Sequence, residues 1–405
     1  MVIWKYYPSL EGGAERQCRK LVHELTGRGH ECTVITAYNE KNLDRDGKGL
    51  SGERVIRLGD FAWVVIEFQN LLTSVIKILS PSRKIPASML FWLSLPFTWL
   101  SRLSFMWSAK NYFCKNHSGY DVIHVHEAHW IAGAVEWACQ GLDVPIICKE
   151  ADYPHKKTIS YDTPMREKLS GLRKESSFIA ITEAIRQSML ATGIGRSRVS
   201  LIPNGVEIPE KRASVLESKA IVYIGNLTQG THRKAFDILF ESWVEVQKQR
   251  PDLKLIVLGG GDSSVWENYL KEKQCVGSVD FRGSVSDVGS YLQKARLFVL
   301  PSRVEGLSNA LLEAMSWAVP VIVSDIPTHQ SLVQSGVNGI AVPVGDSNAL
   351  ARAIVDLYDN DQLSVSLAIE GRNTIVSEYS IEHVVNLLEE LYTGMIREGS
   401  SKKVQ

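Results

Sequence analysis

Two glutamates eight residues apart, Glu305 and Glu313, bracket a loop that opens into a helix, Glu305-Gly306-Leu307-Ser308-Asn309-Ala310-Leu311-Leu312-Glu313. Leu311, Ala314, Met315 and Ala318 recur at helical spacing as a buried stripe, which leaves Glu313 off it. An ionised carboxylate only accepts hydrogen bonds, so Glu313 there suits two neighbouring hydroxyls, as on a ribose. Glu305 lies in the loop, where the N–H groups of Gly306, Leu307, Ser308 and Asn309 have no partner in the helix they precede. Those donors, with the helix dipole behind them, suit a diphosphate. Upstream, Arg233-Lys234 follows the loop Gly225-Asn226-Leu227-Thr228-Gln229-Gly230-Thr231-His232. Cations there oppose charge that grows on a departing diphosphate. Near the N-terminus, Gly12 and Gly13 separate a strand from a helix and let backbone approach an oxyanion. His124-Val125-His126-Glu127 ends another strand, and its two histidines share a face. Further ligands in register are lacking, so no zinc site is expected. Glu150-Ala151-Asp152 ends the next strand and offers carboxylates to a hydroxyl.

These residues need strands that end where they stand. Residues 295–302 read as a buried strand and 319–325 as the next, so the Glu305 loop lies at the carboxyl end of the first, where open α/β sheets hold ligands. In the first half, Val2-Ile3-Trp4 is a short strand, and the helix from Ala14 to Gly27 carries Cys18, Leu21, Val22 and Leu25 at helical spacing. Strands follow near 30–36, 121–126, 145–148 and 178–182, with helices at 132–140 and from 183. A polar stretch at 208–218 precedes a second series, near 220–225, 253–259, 279–281 and 339–342. Such alternation predicts parallel sheets with helices on both faces. A chain of 405 residues suits two domains better than one core.

Taken together, the Glu-x7-Glu pattern between Pro301-Ser302 and Val319-Pro320-Val321-Ile322 resembles the signature of retaining GT-B glycosyltransferases of family 4, the group 1 enzymes. The likeness runs through most of the chain and thins between about 44 and 116. It implies two Rossmann-like α/β domains facing a central cleft. These are an acceptor domain at 1–203 with an aromatic-rich insertion near 61–113, a nucleotide-sugar donor domain at 204–380, and a final helix with a tail at 381–405 that returns to the first domain. Ile202-Pro203-Asn204-Gly205-Val206-Glu207 resembles the domain crossing of the family and reads as a hinge. By the same likeness Glu305 touches the donor sugar near its reacting carbon and Glu313 holds the ribose. Lys234 matches the lysine on the diphosphate, and His126 lies near donor sugar and acceptor. Glu305, His126 and Lys234 are therefore the expected catalytic residues. Gly12, Gly13, Arg233, Lys234, Glu305, Gly306, Leu307, Ser308, Asn309 and Glu313 are the expected substrate contacts. Two positions depart from the family: Asn226 stands in place of a frequent arginine, and Ala235 in place of a glycine. Arg233 is the group placed to supply the missing guanidinium.

The resemblance implies a metal-independent transfer, with retention, from a nucleotide-diphosphate sugar (a UDP-sugar) to a hydroxyl of a glycan or lipid-linked glycan, in cell-surface polysaccharide or glycolipid synthesis. The rivals are a sugar-nucleotide epimerase of the same fold and a non-catalytic binding module. No cofactor is expected. Asp44-Arg45-Asp46 has the spacing of a metal-holding aspartate pair but reads as a polar loop.

Lys and Arg number 45 against 45 Asp and Glu, so no basic field points to nucleic acid. Six scattered cysteines without metal-ligand spacing, and a start without an apolar leader, predict a reduced cytoplasmic chain. From Phe61 to Phe113 the sequence is dense in Trp, Phe and Leu, and 85–101 carries no charge. Two readings stand: a buried helix pair, or an interfacial patch at the inner face of the membrane on which Trp92, Trp99 and Trp107 meet headgroups. Pro86 and Pro96 are expected to cut the segment into pieces too short to span.

Overall fold

A computed structural model describes residues 1–6, 12–37, 43–59, 71, 87–128, 130–153, 176–227 and 232–402, with backbone alone at 87–98 and 399–402. Parts of the sequence reading fall outside these residues: the loops at 7–11 and 228–231, Pro86, and the side chain of Trp92.

The first half holds β1 (Thr33–Ala37), β2 (Asp46–Lys48), β3 (Arg54–Leu58), β4 (Ile123–Val125), β5 (Ile146–Glu150), β6 (Ser177–Ala180) and β7 (Val199–Leu201). Its helices are α1 (Gly13–Gly27), α2 (Ala87–Asn116), α3 (Trp130–Ala138) and α4 (Glu183–Leu190). The strands β4-β5-β6-β7 run parallel, and β1 pairs parallel with β3, whose other edge takes β2 antiparallel. Val2 bridges both Ile35 and Val125 and so stitches the two groups into one sheet. The expected strand at 2–4 is thus reduced to one bridging residue. Asp46, expected in a loop, opens the edge strand β2, and the Arg54 guanidinium holds its carboxylate.

The second half holds β8 (Ala220–Ile224), β9 (Lys254–Leu258), β10 (Val279–Gly283), β11 (Leu297–Leu300), β12 (Val321–Ser324) and β13 (Ile340–Val342). Its helices include α5 (Phe236–Gln249), α6 (Asn309–Ser316), α7 (Pro327–Gln330), α8 (Ser347–Asp359) and α9 (Asp361–Thr374). All six strands are parallel, in the order β10-β9-β8-β11-β12-β13. Every residue of β11 and β12 is buried, as a sheet covered on both faces requires. The order reverses between β8 and β11, and open α/β sheets form their ligand crevice at the carboxyl ends of such strands. The two loops that leave β8 and β11 carry Lys234 and Glu305.

The chain crosses between the halves twice, side by side: Val206 donates its N–H to the Tyr379 carbonyl (2.9 Å), and its own carbonyl accepts from Ile381 (2.9 Å). The last helix, α10 (Ile381–Lys402), then lies on α1. Leu21 and Leu25 of α1 share an apolar cluster with Ile381, Val384, Val385 and Leu388. Arg28 and His30 both reach Glu389, at 2.8 and 2.7 Å.

In the aromatic segment, α2 runs 30 residues without a break at Pro96. A proline removes one backbone bond and costs a helix roughly 3 kcal/mol, yet does not forbid it, so the expected cut at Pro96 is corrected. Among the described residues no helix is long and apolar enough to cross a membrane. Phe105, Met106, Ala109 and Phe113 are buried, while Leu100, Leu103 and Trp107 face outward. Arg102 and Lys110 lie over the Trp130 and Trp137 rings of α3, at 4.9 and 4.5 Å.

Candidate active site

Glu305 is held from three elements. Lys234, from the turn before α5, puts its ammonium 2.5 Å from Glu305 Oε1. Ser302, at the end of β11, donates its hydroxyl to the same oxygen at 2.8 Å. Thr328, in α7, donates to the Glu305 backbone carbonyl at 3.1 Å. The carboxylate is buried, so Lys234 and Ser302 stand where water would otherwise solvate it. His329 lies beside the pair; its Nδ1 meets the Ser324 carbonyl at 2.8 Å, and burial pushes its ionisation below the usual histidine range.

The Lys234 turn is fixed to the Glu305 loop by backbone. The Arg233 carbonyl accepts from the Arg303 N–H at 2.7 Å, and the Arg303 guanidinium forks onto Asp237 at 2.7 and 2.6 Å. Ala235 sits at φ 51°, in the left-handed region where a glycine carries no Cβ penalty. The family's glycine is thus a conformational requirement, and this chain meets it with a strained alanine. Arg233 projects its side chain into solvent at the rim. Asn226 accepts from the Gly260 N–H at 3.0 Å, bracing the loop after β9.

The helix that follows Glu305 begins cleanly. Ser308 caps α6 by accepting from the Leu311 N–H, and the N–H groups of Gly306, Leu307, Ser308 and Asn309 make no bond among the described residues. Gly306 is required by a close approach: a Cβ there would stand 2.0 Å from the Ala151 carbonyl oxygen of the opposite half. The Asn309 side chain knots the halves together. Its oxygen accepts from Gln17 and from Asn204, each at 3.0 Å, and its nitrogen donates to the Gly13 carbonyl at 3.1 Å. Gln17 also donates to the Gly205 carbonyl at 3.0 Å. One turn further along α6, Glu313 is half-buried and pairs with Lys20 of α1 at 3.3 Å.

On the first half, the Gly12 N–H is taken by the Glu15 carboxylate at 2.9 Å, and Gly13 opens α1. His126 is buried and stacks on His124 with ring centres 4.4 Å apart; its Nε2 lies 3.1 Å from the Met1 sulfur. Burial, the largest influence on both rings, keeps them neutral. A cavity of about 330 Å³ joins His126 to Trp4, Lys5, Glu15, Lys149 and Asp152. Ala151, which touches Gly306, also lines it, so the cavity abuts the Glu305 loop.

The structure therefore brings Glu305, Lys234, Gly306, Leu307, Ser308 and Asn309 together, with Gly13 and Glu313 along one seam and His126 in the adjoining cavity. Sequence reasoning missed Ser302, Gln17, Lys20, Asn204 and Lys149. Gln17 and Lys20 lie three apart on α1, a spacing that puts them on one helix face, but nothing in the sequence names the partner.

Two family descriptions match the chain: Glycosyltransferase Family 4 over residues 11–209 and Glycosyl transferases group 1 over residues 218–360. An uncharacterized glycosyltransferase of Haemophilus influenzae is 26% identical over 189 residues, which span 46% of this chain and only 52% of that protein. A phosphatidyl-myo-inositol mannosyltransferase of Mycobacterium leprae is 27% identical over 301 residues, 70% of this chain and 76% of the relative. Among solved structures, sucrose-phosphate synthase from Thermosynechococcus elongatus superposes with a TM-score of 0.73 at 20% identity, covering 98% of both chains. Anabaena HepE in complex with UDP gives 0.70 at 15% identity over 97% of this chain and 99% of its own. At such identities the likeness is one of fold.

Proposed function

The chain belongs to the group 1 glycosyltransferases of the GT-B fold, and from that premise we propose that it moves a sugar, with retention and without a metal ion, from a UDP-sugar to a hydroxyl of a glycan or lipid-linked glycan. The observation that carries this reading is the Lys234–Glu305 pair at the point where strand order reverses, beside the open N–H groups of α6. The UDP bound to HepE and the lipid acceptor in the name of the mannosyltransferase support the choice of substrates.

In this reading the diphosphate lies on the N–H groups from Gly306 to Asn309 and draws Lys234, with Arg233 closing over it from the rim. Glu313 leaves Lys20 and accepts from the ribose hydroxyls. The acceptor enters through the His126 cavity. Its oxygen attacks the reacting carbon on the face the diphosphate is leaving; the new C–O bond forms as the bond to the phosphate oxygen breaks, and that phosphate takes the acceptor proton. Glu305 opposes the positive charge that gathers on the sugar ring. Such fixed charges act without reorganising, which is their advantage over water. The acceptor stage is placed at the cytoplasmic face of the membrane, in polysaccharide or glycolipid synthesis.

The test is a panel of UDP-, GDP- and ADP-sugars incubated with the protein in excess EDTA, read by mass spectrometry. Release of nucleoside diphosphate from one donor, abolished by Glu305→Gln, is the expected result. Activity that vanishes in EDTA and returns with Mg²⁺ would overturn metal independence. Conversion of donor to an isomeric nucleotide sugar without release would favour an epimerase.

A further inference from the structure

We propose that Tyr223 is a positioning residue for Glu305, its hydroxyl replacing Lys234 on the carboxylate when a bound diphosphate draws the ammonium away. The inference rests on the assignment of Glu305 and Lys234 above.

Tyr223 lies in β8, is fully buried, and its hydroxyl has no hydrogen-bond partner among the described residues. A buried unpaired hydroxyl is destabilising, and phenylalanine would fill the same space against Phe236, whose ring centre is 5.2 Å away. Packing thus explains the ring and leaves the oxygen unexplained. That oxygen ends at the crevice: a Cβ on Gly225, the first residue of the phosphate-facing loop, would stand 2.5 Å from it. It is also within electrostatic reach of Glu305, which, after burial, helps hold the phenol protonated well above the usual tyrosine range.

The need for such a donor follows from the geometry of the pair. A bound diphosphate competes with Glu305, 2.5 Å from the Lys234 ammonium, for the donors of that ammonium. Once the ammonium turns, a buried carboxylate keeps only the Ser302 hydroxyl, and a buried charge with too few donors is costly to hold. The groups that face it are few. His329, from α7, spends its Nδ1 on the Ser324 carbonyl and, being neutral, presents a bare acceptor at Nε2. Arg303 is committed to Asp237. Across the seam the Ala151 carbonyl closes on Gly306, the residue after Glu305, and brings an acceptor. Tyr223 alone among these has a proton to give.

The experiment is calorimetry of UDP, GDP and ADP with the full chain, in two buffers of different ionisation enthalpy, at pH 6 and pH 7.5. With whichever of the three binds, Tyr223→Phe should take up on the order of a few tenths of a proton more than wild type, and more at pH 6 than at pH 7.5. The extra uptake should vanish in the Glu305→Gln/Tyr223→Phe double variant. The melting temperature of Tyr223→Phe should match or exceed that of wild type. Proton uptake equal to wild type at both pH values overturns the proposal, as does extra uptake that persists without Glu305. If Glu305→Gln leaves donor turnover intact, the reading of Glu305 itself has failed; if it abolishes turnover while Tyr223→Phe shows no extra uptake, only the role of Tyr223 has. Failure of all three nucleotides to bind wild type overturns both.

Discussion

The Glu313 carboxylate has two claimants, the ribose of a donor and the Lys20 ammonium 3.3 Å away. Replacing it with alanine should weaken UDP binding about ten- to a hundredfold, the worth of a hydrogen bond to a charged group. Lys20→Ala should do the reverse, because the ribose then displaces nothing. Partly exposed pairs are worth up to about 1 kcal/mol, so the gain should not exceed about fivefold by calorimetry. A loss of affinity in Lys20→Ala would show that Lys20 holds the nucleotide rather than competing with it. Lys149 offers a second test at this scale. Burial lowers its ionisation from 10.5 to about 8. Below about pH 8 both folded and unfolded chains carry the charge, and the folded one bears its full desolvation. Between 8 and 10.5 the unfolded chain alone holds the proton, so stability rises with pH across that window. Lys149→Met should therefore stabilise the protein at pH 7, by roughly 3 kcal/mol at most, with the advantage fading towards pH 10.5 in thermal melts. Glu305 and Glu313 stand out in the sequence because a loop, a glycine and a helical stripe surround them. Lys149 does not, since a lysine inside a strand reads like any other until the helix that covers it is in place.

At the scale of elements, what could be read was whatever carries its own period. The stripe of α6 and the apolar runs of β11 and β12 announce themselves, and the strands fall where those runs predict. The continuity of α2 did not, because a proline rule describes an isolated helix and says nothing of neighbours that tolerate the lost bond. That helix gives the segment a consistent outer face of Leu100, Leu103 and Trp107, flanked by Arg102 and Lys110. Such a face suits an anionic bilayer surface. Wild type should co-sediment with anionic liposomes at low salt and release in high salt. Replacing Leu100, Leu103 and Trp107 with serine should abolish sedimentation while leaving nucleotide binding unchanged, since none of the three lines the crevice. Sedimentation that survives the triple change would move the contact elsewhere.

For the whole molecule, the family likeness in the sequence predicts two domains and the order of their parts, but says nothing of the seam between them. Asn204 read as a turn residue and Gln17 as an ordinary helix position; only their meeting on Asn309 makes them a joint. The paired crossings at Val206 and Tyr379–Ile381 have a mechanical consequence. Two adjacent tethers remove most of the six rigid-body freedoms of one half against the other and leave a single bend as the soft motion, which is the one that opens the crevice. They also make the covalent link at 207–218 dispensable to cohesion. A protein nicked there should still elute as one particle, because α10 clasps α1 through its own apolar contacts. The pieces 1–212 and 213–405, produced separately and mixed, are in effect a split enzyme whose reassembly can be read by restored nucleotide binding.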